Sequence, residues 1–199
     1  MRWLLGVMLG ASAWAALACD RPEVQAKSAP GRVIDSVIPP EEALRRFRTN
    51  LPPVDDLEGG RGSRDSLVAA YLEALGARDT ATLAAMAVSR TEFGYLYYPT
   101  TPQGRPPYSL APELMWFLLV QRSDRGLRKA LEFYGGQHLT LLGYDCGQGE
   151  SVEGENTVWG PCVVRFRRAE GDTVSQRLFS QIIRRGGRYK FLSYASKLD

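Results

Sequence analysis

Apolar residues recur at helical spacing through the middle of the chain and change to strand-like alternation in its last third. Between Ser63 and Ala77, the residues Leu67, Tyr71, Leu72 and Leu75 make an apolar stripe at three- and four-residue steps, with Val68 beside it. Gly59-Gly60-Arg61-Gly62 breaks the chain before this helix, and Ser63 or Asp65 is placed to cap it. Asp79 caps a second helix that turns Leu83, Met86 and Ala87 inward. A third helical stretch runs from Arg90 to Tyr98 and stops at Pro99. Pro102, Gly104, Pro106 and Pro107 then mark a loop. From about Pro112 a longer helix continues or kinks through Gly126 to Tyr134, where Gly135-Gly136 ends it. Its segment Met115 to Val120 is apolar all round, which predicts burial on most sides.

After Gly136 the spacing predicts four strands, at 138–146, 157–168, 173–185 and 188–198. Gly186-Gly187 reads as a two-residue hairpin turn, and Glu170-Gly171-Asp172 joins the middle pair. Helices followed by an antiparallel meander imply an α+β class, with the helices packed on one face of a sheet of four or more strands.

The N-terminus has a different pattern. Met1-Arg2 is a short positive start, and Trp3 to Ala18 is an uncharged, mostly apolar run, short for a membrane span but suited to a secretory signal. Asp20, Arg21 and Pro22 end the run directly after Cys19. This resembles a bacterial lipoprotein signal, in which the cysteine after the cleavage point receives lipid on its sulfur and amine. The usual Leu at the third position before the cysteine is displaced by one here, since the chain reads Ala16-Leu17-Ala18-Cys19. An ordinary cleaved signal and an uncleaved anchor are the alternatives. All three place the folded part outside the cytoplasm, and the resemblance implies a bacterial cell envelope location on the periplasmic side of the inner or outer membrane.

Residues 1–18 are thus expected as the signal peptide, 19–61 as a tether and 62–199 as the globular domain. Pro22, Pro30, Pro39, Pro40, Pro52 and Pro53 exclude a long helix or central strand from the tether. Roughly 40 flexible residues would span about 35 Å. Inside it, Pro40 to Arg48 predicts a short helix with Glu41 and Glu42 at its positive end and Arg45, Arg46 and Arg48 at its negative end. Leu44, Phe47 and Leu51 share a face, which either packs on the main domain or docks a partner.

Composition alters little in this picture. The chain has 199 residues, is 44% hydrophobic and carries a net charge of +3, a balance too mild to indicate nucleic acid. Three cysteines matter more. In an oxidising compartment Cys146 and Cys162 are expected to pair across the connecting loop, which stabilises by roughly 3 kcal/mol in the chain-entropy view. A metal site is disfavoured by the wide spacing. The only histidine, His138, lies about 26 Å from Cys146 along an extended strand at ~3.3 Å per residue. No cofactor motif is present.

The pair of short helices around RDTATLAAM (residues 78–86), the longer apolar helix and the closing antiparallel sheet resemble the nuclear-transport-factor-2-like, or SnoaL-like, superfamily, from about Ser63 to Asp199. The resemblance implies a curved, cone-like sheet of the cystatin-like superfold wrapped around one helix, with a cavity at its wide end. Its members include isomerases, dehydratases and noncatalytic binding modules. His138 is the weak candidate for an acid–base role in such a cone, on one strand face with Thr140, Leu142, Tyr144 and Cys146, while Asp145 lies opposite. Tyr95, Tyr97, Tyr98, Tyr108 and Trp116 are the candidates for contacting a small apolar ligand near the mouth. Aromatic core packing is the alternative for them. Arg165, Arg167, Arg168, Arg177, Arg184, Arg185, Arg188 and Lys190 give a basic outer sheet face that is either solvated or turned to anionic lipid or an acidic partner. Together these features point to a membrane-anchored extracytoplasmic lipoprotein with a noncatalytic ligand- or partner-binding domain. Its partners would be the membrane through lipid on Cys19, and an envelope protein or small apolar ligand. A SnoaL-like acid–base enzyme or a structural envelope protein is the alternative.

Overall fold

A computed structural model describes residues 38–147, 149–194 and 198. The expected signal residues, Cys19 and the tether up to residue 37 lie outside the described residues. The helices are α1 (Pro40–Phe47), α2 (Arg64–Gly76), α3 (Thr80–Ala85), α4 (Arg90–Glu92) and α5 (Pro112–Tyr134). The strands are β1 (Leu139–Asp145), β2 (Glu150–Glu153), β3 (Asn156–Trp159), β4 (Val163–Arg168), β5 (Thr173–Gln176), β6 (Ile182–Arg185) and β7 (Arg188–Phe191). The class is α+β, with every ladder antiparallel.

Local chemistry accounts for the helix starts. Ser63 and Ser66 form a reciprocal capping box on α2, and the Asp79 carboxylate accepts from Thr82 N at 3.0 Å on α3. Ser89 and Glu92 form a second capping box on α4. This short helix then widens into a π turn over Phe93–Tyr97, closed by Tyr98 N donating to Phe93 O at 2.8 Å. In α1, Glu42 pairs with Arg45 and Arg46, whose hydrogen bonds hold its carboxyl down at about 2.

Residues 38–61 belong to the same compact unit as the rest of the body, although the sequence reads them as tether. Phe47 is buried edge-on against Phe93, with ring centroids 5.5 Å apart. That approach depends on Gly94, where an added Cβ would stand 2.8 Å from the Phe47 ring. Further along, Arg61 and Tyr189 exchange backbone bonds of 3.0 and 2.9 Å, which fastens the segment to β7.

Two sheets form, ordered β1-β4-β5 and β2-β3-β6-β7. The two central strands expected at 157–168 and 173–185 are each interrupted. Gly160, with φ +139°, and Pro161, which has no N–H to donate, break the first between β3 and β4. Residues 177–181 break the second between β5 and β6. Trp159 still pairs Ile182 and Val164 pairs Gln176, so the two ladders are halves of one long hairpin, offset by a single residue where it bends. β2 arises within the segment expected as loop and pairs β3. Gly186 and Gly187, at φ +52° and +75°, make the expected two-residue turn between β6 and β7.

The expectation that helices cover one sheet face needs correction. Trp159 and Ile182 enter a core with Tyr71, Phe179, Phe191 and Tyr194, whereas Val158 and Ile183 enter a second core with Phe47, Phe93 and Leu96. The centre of the four-stranded sheet, at β3 and β6, is therefore buried on both sides. The α4–π segment and α1 occupy the face that simple alternation would leave to solvent. α5 serves both cores, with Met115, Trp116 and Leu119 against the second and Leu127, Ala130 and Tyr134 against the first.

Candidate functional site

The interior is packed with rings. Tyr71 stacks on Tyr194 at 5.3 Å and meets Phe179 and Phe191 edge-on at 5.9 and 5.4 Å. Tyr134 meets Phe166 at 5.1 Å, and the Tyr194 hydroxyl donates to Leu83 O at 2.6 Å. These side chains fill the space between α2, α5 and the sheet.

The five aromatic candidates do not converge. Tyr97 is buried beside Thr101, and its hydroxyl accepts from Thr101 Oγ1 at 3.3 Å. Tyr98 donates to Leu110 O at 2.7 Å and borders an open concavity of about 490 Å³ with Ile38, Pro40, Ala43, Ala111 and Glu113. Tyr95 lies under the Arg48 guanidinium, 4.5 Å from it, in a separate depression beside α1. Trp116 packs on Phe93 at 5.2 Å and borders a third cleft, of about 180 Å³, with Leu119, Leu192 and Tyr194. Tyr108 stands 67% exposed in the loop before α5.

His138 is exposed just before β1 and takes part in no ion pair among the described residues. The face expected to carry it is also divided. Leu141 pairs Phe166 and Gly143 pairs Arg165, so Leu142 is an extra residue in a bulge that reverses the alternation. Tyr144 and Cys146 consequently turn toward the core, while Thr140 and His138 stay outside. The Tyr144 hydroxyl reaches Asp65 Oδ1 at 2.6 Å.

Cys146 and Cys162 are joined in a disulfide, and they continue the β1–β4 register by one step beyond the Asp145–Val163 pair. Lys190, expected on the basic outer face, is instead buried. Its ammonium donates to both Glu92 oxygens, at 3.0 and 2.9 Å, and to Glu58 O at 3.0 Å. The Glu92 carboxylate also accepts from Glu58 N and Ser89 N, both at 2.7 Å. The cover of residues 57–61 over β7 is what encloses the lysine. Arg165 and Arg167 do remain exposed on β4.

Comparison with family models, with curated proteins and with solved structures gives no match. The chain's own geometry is therefore what bears on function.

Sequence reasoning missed the outer side of α5. Within the segment Met115–Val120 that predicts burial, Phe117 is 57% exposed and Leu118 half-buried, and Leu114 just before it is 48% exposed. Phe117 and Leu118 stand three and four residues after Leu114, and Gln121, Arg125 and Arg128 follow at three- and four-residue steps, so these residues share one side of the helix. The continuation of apolar residues into arginines on a single face is the signal that distinguishes this side from a core-facing one. Among the described residues no cluster of His, Cys, Asp and Glu is arranged to hold a metal ion.

Several phenols have perturbed acidity. Burial, with Asp65 adding to it, pushes Tyr144 up to about 12. Burial also pushes Tyr97 up to about 12, against a lowering hydrogen bond from Thr101 and with a small upward contribution from Glu153. Tyr71 and Tyr194 are raised by burial as well, each reinforced by a neighbouring phenol. An unfolded chain releases these protons from about pH 10, so the fold retains more protons than the unfolded state above that point. The stability linked to them is intact below about pH 10 and is lost as pH rises toward the folded values. Urea midpoints should fall steeply over that interval, with part of the phenolate absorbance appearing only on unfolding. A single phenolate transition near pH 10, with an unchanged midpoint, would contradict this.

Proposed function

We propose that the chain is a lipid-anchored extracytoplasmic module of the nuclear-transport-factor-2-like kind, which acts by binding through its surface and carries out no chemistry in an internal cavity. The observation that carries the anchoring is the Cys146–Cys162 bond. It leaves Cys19 without a cysteine to pair with in a chain of three, directly after an uncharged apolar run. A disulfide of this kind also suits an oxidising compartment.

The surface mode is supported by the filled interior. An acid–base enzyme of this type needs room for substrate beside its base, whereas Tyr71, Phe179, Phe191 and Tyr194 pack ring on ring in one buried core. His138 lies outside it. Exposed apolar side chains on α5 offer contact area instead.

Metabolic labelling with an alkynyl fatty acid tests the anchoring in a host that processes lipoproteins. Label is expected on the wild-type protein and none on Cys19→Ser. An unlabelled wild type would overturn the reading.

A further inference from the structure

We propose that the tip of the β2–β3 hairpin and the turn after the π segment together hold one hard, oxygen-preferring cation of the calcium kind. The proposal goes beyond surface binding and stands whether or not the chain is lipid-anchored. Its donors are the Glu153 carboxylate, Asn156 Oδ1 and the hydroxyls of Thr101 and Tyr97.

Three observations carry it. First, two acceptor oxygens are buried here with no hydrogen bond among the described residues, Glu153 Oε2 and Asn156 Oδ1. Glu153 and Asn156 are the last register pair of the hairpin, so their side chains leave the ladder on the same face. Asn156 is fully buried, and its amide nitrogen is committed to Leu96 O at 2.7 Å and Thr100 Oγ1 at 2.9 Å. Buried polar atoms are nearly always satisfied, so two orphan acceptors on one face call for a shared partner. Second, the groups around them bring few protons. The buried Thr101 hydroxyl lies beside the Glu153 carboxyl and also against the Tyr97 hydroxyl at 3.3 Å and Gln103 Oε1. One proton cannot serve all three. Glu153 is in no ion pair among the described residues, and the arginine that reaches this turn, Arg185, is held by Glu155 and Asp55 O. Burial pushes the Glu153 carboxyl up, against a lowering hydrogen bond from Thr101. A cation is the partner that such a desolvated carboxylate lacks.

Third, packing holds the two segments together. Gly154, at φ +65°, makes the tight turn of the hairpin, and an added Cβ there would stand 2.6 Å from Thr100 Cγ2. The Asn156 bonds to Leu96 and Thr100 fasten the start of β3 to the same turn. The donors are therefore placed by the fold and not gathered from mobile side chains. All of them are oxygen, and Cys146 and Cys162 are locked in their disulfide, which disfavours zinc and other metals that take nitrogen or sulfur. One carboxylate with neutral oxygens from two irregular segments suits calcium, which accepts variable geometry, better than magnesium, which demands a near-ideal octahedron. A single charge among the donors predicts weak binding, of about 10⁻⁴–10⁻³ M.

The test uses the full chain at neutral pH. Calcium chloride at about 10 mM should raise the urea midpoint by roughly 0.5–1 M over sodium chloride of equal ionic strength, and magnesium should raise it less. Terbium, which takes calcium's oxygen ligands, should luminesce on tyrosine excitation because Tyr97 abuts the site, and added calcium should remove that emission by displacement. Glu153→Gln should lose both responses and still unfold cooperatively. Glu155→Gln, in the same turn but outside the donor set, should keep them. An unmoved wild-type midpoint without tyrosine-sensitised emission overturns the site. Responses that survive in Glu153→Gln, or that Glu155→Gln abolishes, also overturn it, since the metal is then gathered by loop charge alone. If calcium is inert and Glu153→Gln raises the midpoint, the carboxyl holds a proton in place of a metal, and the site is again overturned. Should Glu153→Gln fail to fold, the wild-type and Glu155→Gln titrations decide the matter by the same criteria.

Discussion

Lys190→Met should destabilise the domain by about 3–5 kcal/mol, a large share of the stability of a small domain. Without the ammonium, the Glu92 carboxylate stays buried with only the Glu58 and Ser89 amides to satisfy it. Glu92→Gln should cost a comparable amount, because it strands the lysine and weakens the acceptor that ties residue 58 to α4. The double variant should cost less than the two single effects added, since neither charge is then left alone. Urea unfolding reads this directly: at a slope of about 2 kcal/mol per molar, the single variants move the midpoint by roughly 2 M. Arg165→Met, on the exposed side of β4, is the control and should move stability by less than about 0.5 kcal/mol. A Lys190→Met midpoint within that control range would refute the pair's role in holding residues 57–61 against β7.

Replacing both cysteines, as Cys146→Ser/Cys162→Ser, should cost about 3 kcal/mol, the chain-entropy value for a closed loop of this size. The structure adds a reason for the loss to be felt locally. The bond joins β1 to β4 at the point where the chain has just left β3, so it holds the bend between the two sheets together. Hydrogen exchange should accelerate first in β1, β2 and the turn around Gly160. The urea midpoint should fall whether the bond is removed by mutation or by reductant. An unchanged midpoint under reduction would show that the bend is held by packing alone.

Signals that act over a few residues were legible in the chain. The caps at Ser63 and Asp79, the stop at Pro99, the Gly186-Gly187 turn and the pairing of Cys146 with Cys162 all stand where local chemistry puts them. What alternation could not reveal is which faces become covered. Lys190 reads as a solvent-facing strand residue until residues 57–61 close over it, and Val158 and Ile183 gain a second core only because α1 and the π turn pack there. The Ser89–Glu92 capping pattern is visible in the sequence, but nothing local shows that Glu92 also receives a lysine almost a hundred residues away. The bulge at Leu142 is equally silent, and it reverses the face on which Tyr144 and Cys146 fall. At α5 the difference runs the other way: the apolar run Met115–Val120 predicts burial, whereas Phe117 within it is exposed on a side that continues to Arg125 and Arg128.

Anchoring through Cys19 is tested most directly by intact-mass spectrometry of the mature N-terminus in its native membrane. A chain beginning at Cys19 and heavier than its amino acids by lipid is the predicted result. An unmodified Cys19, or a mature chain that begins at another residue, would contradict it.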